Sequence, residues 1–168
     1  MANYWLMKSE PDVYPWEQLV KDGKTHWDGV RNYQARNFMR DSMKIGDLVL
    51  FYHSNCKPPH IAGVARVCKE GYTDFTAHDE KSNYFDPKSS ADNPRWCMVD
   101  IEPIIGFKQT LGLPDLKQNP KLEGMPLLQK GQRLSIQPVP QKYFDEICKI
   151  AEANQVYEWT NQAHFETL

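Results

Sequence analysis

The run Trp27-Asp28-Gly29-Val30-Arg31-Asn32-Tyr33-Gln34-Ala35-Arg36-Asn37-Phe38-Met39-Arg40 sets an aromatic ring, a turn and a series of guanidinium and amide groups side by side. That combination suits the gripping of a nucleotide, because an indole offers a face for a base and arginines offer donors for phosphate. Asp28-Gly29 reads as a turn that aims the indole. Asn32, Arg36 and Arg40 recur every fourth residue and so share one face of a helix. Two of these residues have an ordinary role as well. A tryptophan ahead of a helix is commonly a core anchor, and Asn32 fits a helix N-cap as well as it fits a base edge.

The elements that must position these groups are legible from periodicity. Tyr4 to Ser9 alternates Trp5 and Met7 against Tyr4, Leu6 and Lys8, the pattern of a strand that ends before Pro11. Pro15 to Val20 reads as a short helix with proline in its first turn, stopped at Asp22-Gly23. A second helix is expected from Asn32 to Ser42, with Ala35, Phe38 and Met39 inward and the arginines outward. Leu48-Val49-Leu50-Phe51-Tyr52 is almost continuously apolar, as in a strand buried on both faces, and Ile61 to Val67 is its hairpin partner. Gly71 to Pro94 reads as a long functional loop holding the aromatic island Tyr84-Phe85. Trp96 to Ile101 returns as a strand, Phe107 to Leu128 as short helices and turns, and Arg133 to Val139 as a last strand. A terminal helix runs from Pro140 to about Ala153, with Phe144, Ile147, Cys148 and Ala151 on one face.

Composition narrows the function classes. A chain of 168 residues with net charge −2 fits one domain with its own core, and it is not a protein that coats nucleic acid through bulk positive charge. Any nucleic-acid contact is therefore local. Lys24, Arg31, Arg36, Arg40 and Lys44 gather early, while Asp145, Glu146, Glu152, Glu158 and Glu166 gather late. Cys56, Cys68, Cys97 and Cys148 lack close pairing and metal-ligand spacing, so neither a disulfide framework nor a metal is expected, and no cofactor motif is present. No apolar run approaches the roughly 20 residues of a membrane span, and Met1-Ala2-Asn3 lacks the order of a secretion signal.

Several ordered segments together resemble the EVE domain family: Tyr4-Trp5-Leu6-Met7-Lys8-Ser9-Glu10-Pro11, Tyr14-Pro15-Trp16, the Trp27 segment, Gly46 to Ser54, Ile61-Ala62-Gly63-Val64-Ala65, Tyr84-Phe85-Asp86-Pro87-Lys88 and Arg133 to Val139. The resemblance implies an α+β, PUA-like mixed β-barrel of about five to six strands flanked by helices, related to the YTH domains. It implies a reader that takes a modified base, here a modified cytosine in DNA, into an aromatic pocket. With the first strand so near the chain's start, it further implies a stand-alone bacterial protein of the cytoplasm; a eukaryotic source would imply the nucleus.

On that implied frame Trp27 is the stacking wall, and Ser9 and Glu10 recognise the base edge with Lys8 nearby. Asn32 reads an edge or braces the pocket. Tyr52, His53 and Ser54 supply a second wall and polar rim, and Ser135 alternates away from Leu134 and Ile136 toward the pocket. Arg31, Arg36 and Arg40 hold phosphates; Tyr84 and Trp96 are weaker candidates. Each has a plain counterpart: Lys8 snorkelling at a strand end, Ser9 and Glu10 capping the next turn.

The rival is a small hydrolase of a modified base or nucleoside, resembling ASCH proteins, with Lys8, Ser9 and Glu10 as its lysine, hydroxyl and carboxylate. Consecutive strand residues point to opposite faces, so Ser9 would face away from the other two. Reading of modified RNA, as in YTH domains, is a second alternative, and a protein-docking scaffold is the third and weakest class.

Overall fold

The alternation at the start of the chain becomes strand β1 (Tyr4–Ser9), which lies parallel to β3 (Leu48–His53), with Leu6 opposite Leu50 and Ser9 opposite His53. The structure is a computed structural model that describes residues 3–153 and 157–159; Met1, Ala2 and Glu166 of the acidic group lie outside them. Between β1 and β3 come helix α1 (Trp16–Asp22), the two-residue strand β2 (Thr25–His26), and α2 (Tyr33–Asn37) extended by a π-helical turn at Phe38–Ser42. Two long strands follow, β4 (His60–Thr73) and β5 (Cys97–Gly112). Then come α3 (Leu113–Lys117), β6 (Ile136–Pro138), α4 (Gln141–Ala153) and β7 (Tyr157–Trp159). The sheet order is β2-β5-β4-β3-β1-β6 with β7 also on β5, and β1–β3 is its one parallel pair among the described residues.

Both faces of this sheet are covered, which is why β3 is buried at every position. Trp5, Met7, Val49 and Phe51 join Trp16, Trp27, Ala35 and Met39 in one core; Leu6, Leu48, Leu50 and Tyr52 join Phe144, Ile147 and Ala151 of α4 in the other. Gly63 is required where α1 crosses the sheet, because a Cβ there would stand 2.7 Å from the Trp16 ring and 2.4 Å from the Ile105 carbonyl. The Asp47 carboxylate, buried, accepts from Trp5 Nε1 at 2.9 Å and from the amides of Asn3 and Lys44, tying β1 to the turn before β3.

Several expected boundaries move. β5 continues eleven residues past Ile101 and β4 six past Val67, so part of the expected loop and of the expected helical run is sheet. Pro103 is accommodated because the β4–β5 register shifts between Val64 and Ala65, the latter opposite Pro103. The last strand is short, because only Ile136–Pro138 reaches β1. The two ends of the sheet path, β2 and the approach to β6, line one cavity together, so the sheet is curled as a PUA-like barrel requires.

Candidate functional site

That cavity holds about 720 Å3, within the size range of small-molecule and cofactor sites. Its floor is the end of β1 with Lys8, Ser9 and Glu10, its far rim is Ser135, and its opposite wall is the segment from Thr25 to Arg31. Tyr14 and Tyr84 complete the sides. Trp27 is held by its amide on the Val99 carbonyl at 2.8 Å and by its ring, perpendicular to Phe51 at 5.6 Å between centroids. The two readings of Trp27 therefore meet in one residue: it is packed into the core and forms cavity wall.

Asp74 fastens this wall. Its buried carboxylate accepts from the Gly29 amide at 2.9 Å, from Arg31 Nη1 at 3.0 Å and from the Thr76 amide at 2.9 Å. Burial pushes its pKa up, but the Thr76 hydroxyl, which also donates to it, then the Gly29 amide and Arg31 outweigh it and hold it below the ordinary carboxylate value. Gly29 sits at φ +79°, and a Cβ there would fall 2.6 Å from the Tyr84 ring. The absent side chain thus lets the loop after β4 close onto the turn. Arg31 completes the closure by donating to the Tyr84 carbonyl at 2.6 Å through Nη2.

The polar residues that border the cavity are unevenly hydrated. Burial raises the pKa of Asp28, with His26 3.8 Å away opposing the rise and Asp74 adding to it. Burial lowers that of Lys8, and burial, followed by the hydrogen bond to Asp22, pushes Tyr14 up to about 12 although Thr25 opposes it. Ser9 donates to the Tyr14 carbonyl at 2.7 Å. Asp28 was read only as a turn former; its place beside Trp27 was the available sign that its carboxylate lines the site.

Of the expected pocket residues, Lys8, Ser9, Glu10, Trp27 and Ser135 line this cavity, as do Arg31 and the weaker candidate Tyr84. Asn32, Tyr52, His53 and Ser54 stand outside its walls. Asn32 is the N-cap of α2, accepting from the Ala35 amide at 3.0 Å. Tyr52 faces the other core, since β3 alternates and Phe51 takes the cavity side. His53 is buried, its Nδ1 against the Ser9 carbonyl and its Nε2 accepting from the Trp16 amide, each at 3.2 Å; burial foremost lowers its pKa. The Ser54 amide donates to the Ser9 carbonyl at 3.0 Å. Arg36 spends its guanidinium on the Arg95 carbonyl and on Asn37, over the ring of Tyr33, which stacks on Trp96; Arg40 pairs with Asp41.

The EVE domain model matches residues 3–150. The chain belongs to the EVE family. It is 44% identical to human thymocyte nuclear protein 1 over 170 residues, spanning 90% of this chain and 75% of that protein. The solved structure of a hypothetical protein from Leishmania major superposes at a TM-score of 0.87 with 44% identity, over 92% of this chain and 98% of that one. The structure of human thymocyte nuclear protein 1 in complex with DNA containing 5-methylcytosine superposes at 0.82 with 43% identity, over 90% and 98%. The YTH domain of Zygosaccharomyces rouxii MRB1, at 15% identity and a TM-score of 0.53, shares the fold. Relatives thus occur in bacteria, such as Pseudomonas syringae, and in eukaryotes. No helix among the described residues is long and apolar enough to cross a membrane.

Proposed function

We propose that this EVE protein, acting as one domain, reads a modified cytosine in DNA by taking the base out of the stack into the Trp27 cavity. One observation carries the reading. A cavity of base-accepting size has an aromatic wall and hydrogen-bonding edges, in a chain 43% identical to a human protein solved with 5-methylcytosine DNA. Trp27 supplies the stacking face. The Asp28 carboxylate and Ser9, Glu10 and Ser135 supply polar groups for the base edge; a carboxylate accepts from the cytosine N4 amino group. Burial of one methyl-sized group is worth about 0.8 kcal/mol, or roughly fourfold in affinity, which sets the scale of preference for a methylated over a plain base.

The geometry favours a reader over a hydrolase. Lys8 and Ser9 project to opposite faces of β1, the Ser9 hydroxyl is spent on the Tyr14 carbonyl, and His53 meets the Ser9 backbone rather than its hydroxyl. In the cell we place the protein in the cytoplasm of a bacterium, or in the nucleus of a eukaryote.

The test is a panel of matched oligonucleotides carrying plain, methylated and hydroxymethylated cytosine and methylated adenine, as DNA and RNA, with each product checked for base conversion. Trp27→Leu keeps an apolar side chain against Phe51 but removes the stacking face. It is expected to weaken methylcytosine binding by roughly 5- to 150-fold, the range of one base–aromatic stack. Unchanged binding by a folded Trp27→Leu protein, or turnover of any base, overturns the reading.

A further inference from the structure

Lys8 lines two cavities. Besides the Trp27 cavity, it borders a cleft of about 540 Å3 with Tyr52, Lys117 and Lys130, between α3 and the turns that follow Leu127. The Lys8 ammonium lies 6.0 Å from the centre of the Tyr52 ring, on the face of β1 opposite Trp27. The cleft's walls contain three lysines and no carboxylate; Glu123 belongs to an adjoining depression that shares Lys117. Among the described residues no ion pair engages Lys8, Lys117 or Lys130, whereas Arg31 and Arg40 are paired with acids and Arg36 with a carbonyl.

We propose that this three-lysine cleft holds backbone phosphates of the nucleic-acid strand whose base occupies the Trp27 cavity, with Lys8 at the crossing point between the two. The inference rests on the base-reading function proposed above. It moves the phosphate contacts from the arginine face of α2 to the opposite side of the cavity. The chemistry is that of an unneutralised cationic groove, which binds phosphodiesters without reading sequence. A phosphate beside Lys8 would also relieve a cation that burial disfavours.

The experiment compares the full chain with the double variant Lys117→Gln/Lys130→Gln, both at exposed positions, with thermal melting expected to show the fold intact. Affinity for plain and methylcytosine strands is measured from low to high salt, alongside binding of 5-methyl-dCMP. Each lost phosphate contact lowers the salt slope by about 0.7 on single strands and 0.9 on duplex, so the double variant is expected to lose about 1.4 to 1.8. Affinity at low salt falls roughly tenfold or more, while the preference for methylcytosine and the affinity for the mononucleotide stay as they were. An unchanged slope overturns the cleft, and so does an equal loss of mononucleotide binding, which would mean that the lysines act on the base site. A wild-type protein with no preference for methylcytosine overturns the base-reading function instead, since the slope is still judged on plain strands. Wild-type protein that binds no strand overturns both.

Discussion

Residues 26–31 and residues 32–40 are alike in composition, each with an aromatic ring and a cation, yet the fold sends them to opposite uses. In the first stretch Trp27, Asp28 and Arg31 line the cavity, because a left-handed turn at Gly29 folds the chain back under the Tyr84 ring. In the second stretch a helix begins at the Asn32 cap, and its cations are consumed: Arg36 by a carbonyl 59 residues away at Arg95, Arg40 by its neighbour Asp41. A cationic side chain is available to a ligand only when its donors are not already engaged; Arg31 is also engaged, by Asp74 and the Tyr84 carbonyl, but that engagement builds the cavity wall, whereas Arg36 and Arg40 are engaged outside it.

The contrast is broken most severely at Asp74, the carboxylate that holds the first stretch in place. Asp74→Ala leaves Arg31, the Gly29 amide and the Thr76 amide without their acceptor, and loss of one partner of a buried pair costs about 3–5 kcal/mol. A fall in melting temperature on the order of 10 °C follows for a chain of this length, with loss of base binding. The effect has a defined pH dependence. The folded-state pKa of Asp74 is depressed, so its contribution is complete above the ordinary carboxylate pKa and disappears as pH falls through the folded value. Wild-type and variant melting curves are expected to converge in acid; a constant gap down to acid pH would mean that Asp74 acts through packing alone.

A milder break tests the second stretch. Arg36→Ala removes the bond to the Arg95 carbonyl and the cover over Tyr33, and is expected to cost about 1–2 kcal/mol and to lower the melting temperature by roughly 2–8 °C. The salt slope of DNA binding is expected to stay at the wild-type value. A slope reduced by about one with an unchanged melting temperature would return Arg36 to the phosphate contacts.

What the sequence made legible follows the range of the interactions. β1, α1, the N-cap at Asn32, the doubly buried β3 and the buried face of α4 depend on periodicity and local capping, and they appear where the pattern put them. The far half of β5 did not, because its pairing with β4 runs through a bulge at Ile104, where two β5 residues face one step of β4, and that interrupts the alternation seen up to Ile101. Among the residues that line the cavity, Ser9 came from family resemblance, Trp27 from its place beside a turn and a basic helix, and Ser135 from alternation. His53 lies outside the cavity walls because, just where the run from Phe51 to Ser54 turns polar, its side chain goes inward to the Trp16 amide. Asp74 stands alone in a polar loop, and only the fold brings Gly29 and Arg31 to it.

The finest comparison is between Asp74 and Asp28, two carboxylates on one wall with opposite shifts. Asp74 has donors enough to prefer the ionised state; for Asp28 burial, with Asp74 adding to it, outweighs the histidine at 3.8 Å, its own backbone amide and Arg31, and raises its pKa. A carboxyl raised in the folded state costs stability wherever it is ionised, and the cost disappears as pH falls through its folded value. Asp28→Asn is therefore expected to raise the melting temperature at neutral pH by about 1–2 °C, a small gain because the side chain is partly exposed, and to give no gain in acid. The same change removes the charge that would accept from the cytosine amino group and is expected to weaken binding by roughly tenfold, the exchange of stability for function common at binding sites. Differential scanning calorimetry across pH, with binding measured in the same buffers, separates the outcomes. Lower stability at neutral pH with binding intact would make Asp28 a turn residue, and the cavity would then owe its selectivity to Ser9, Glu10 and Ser135.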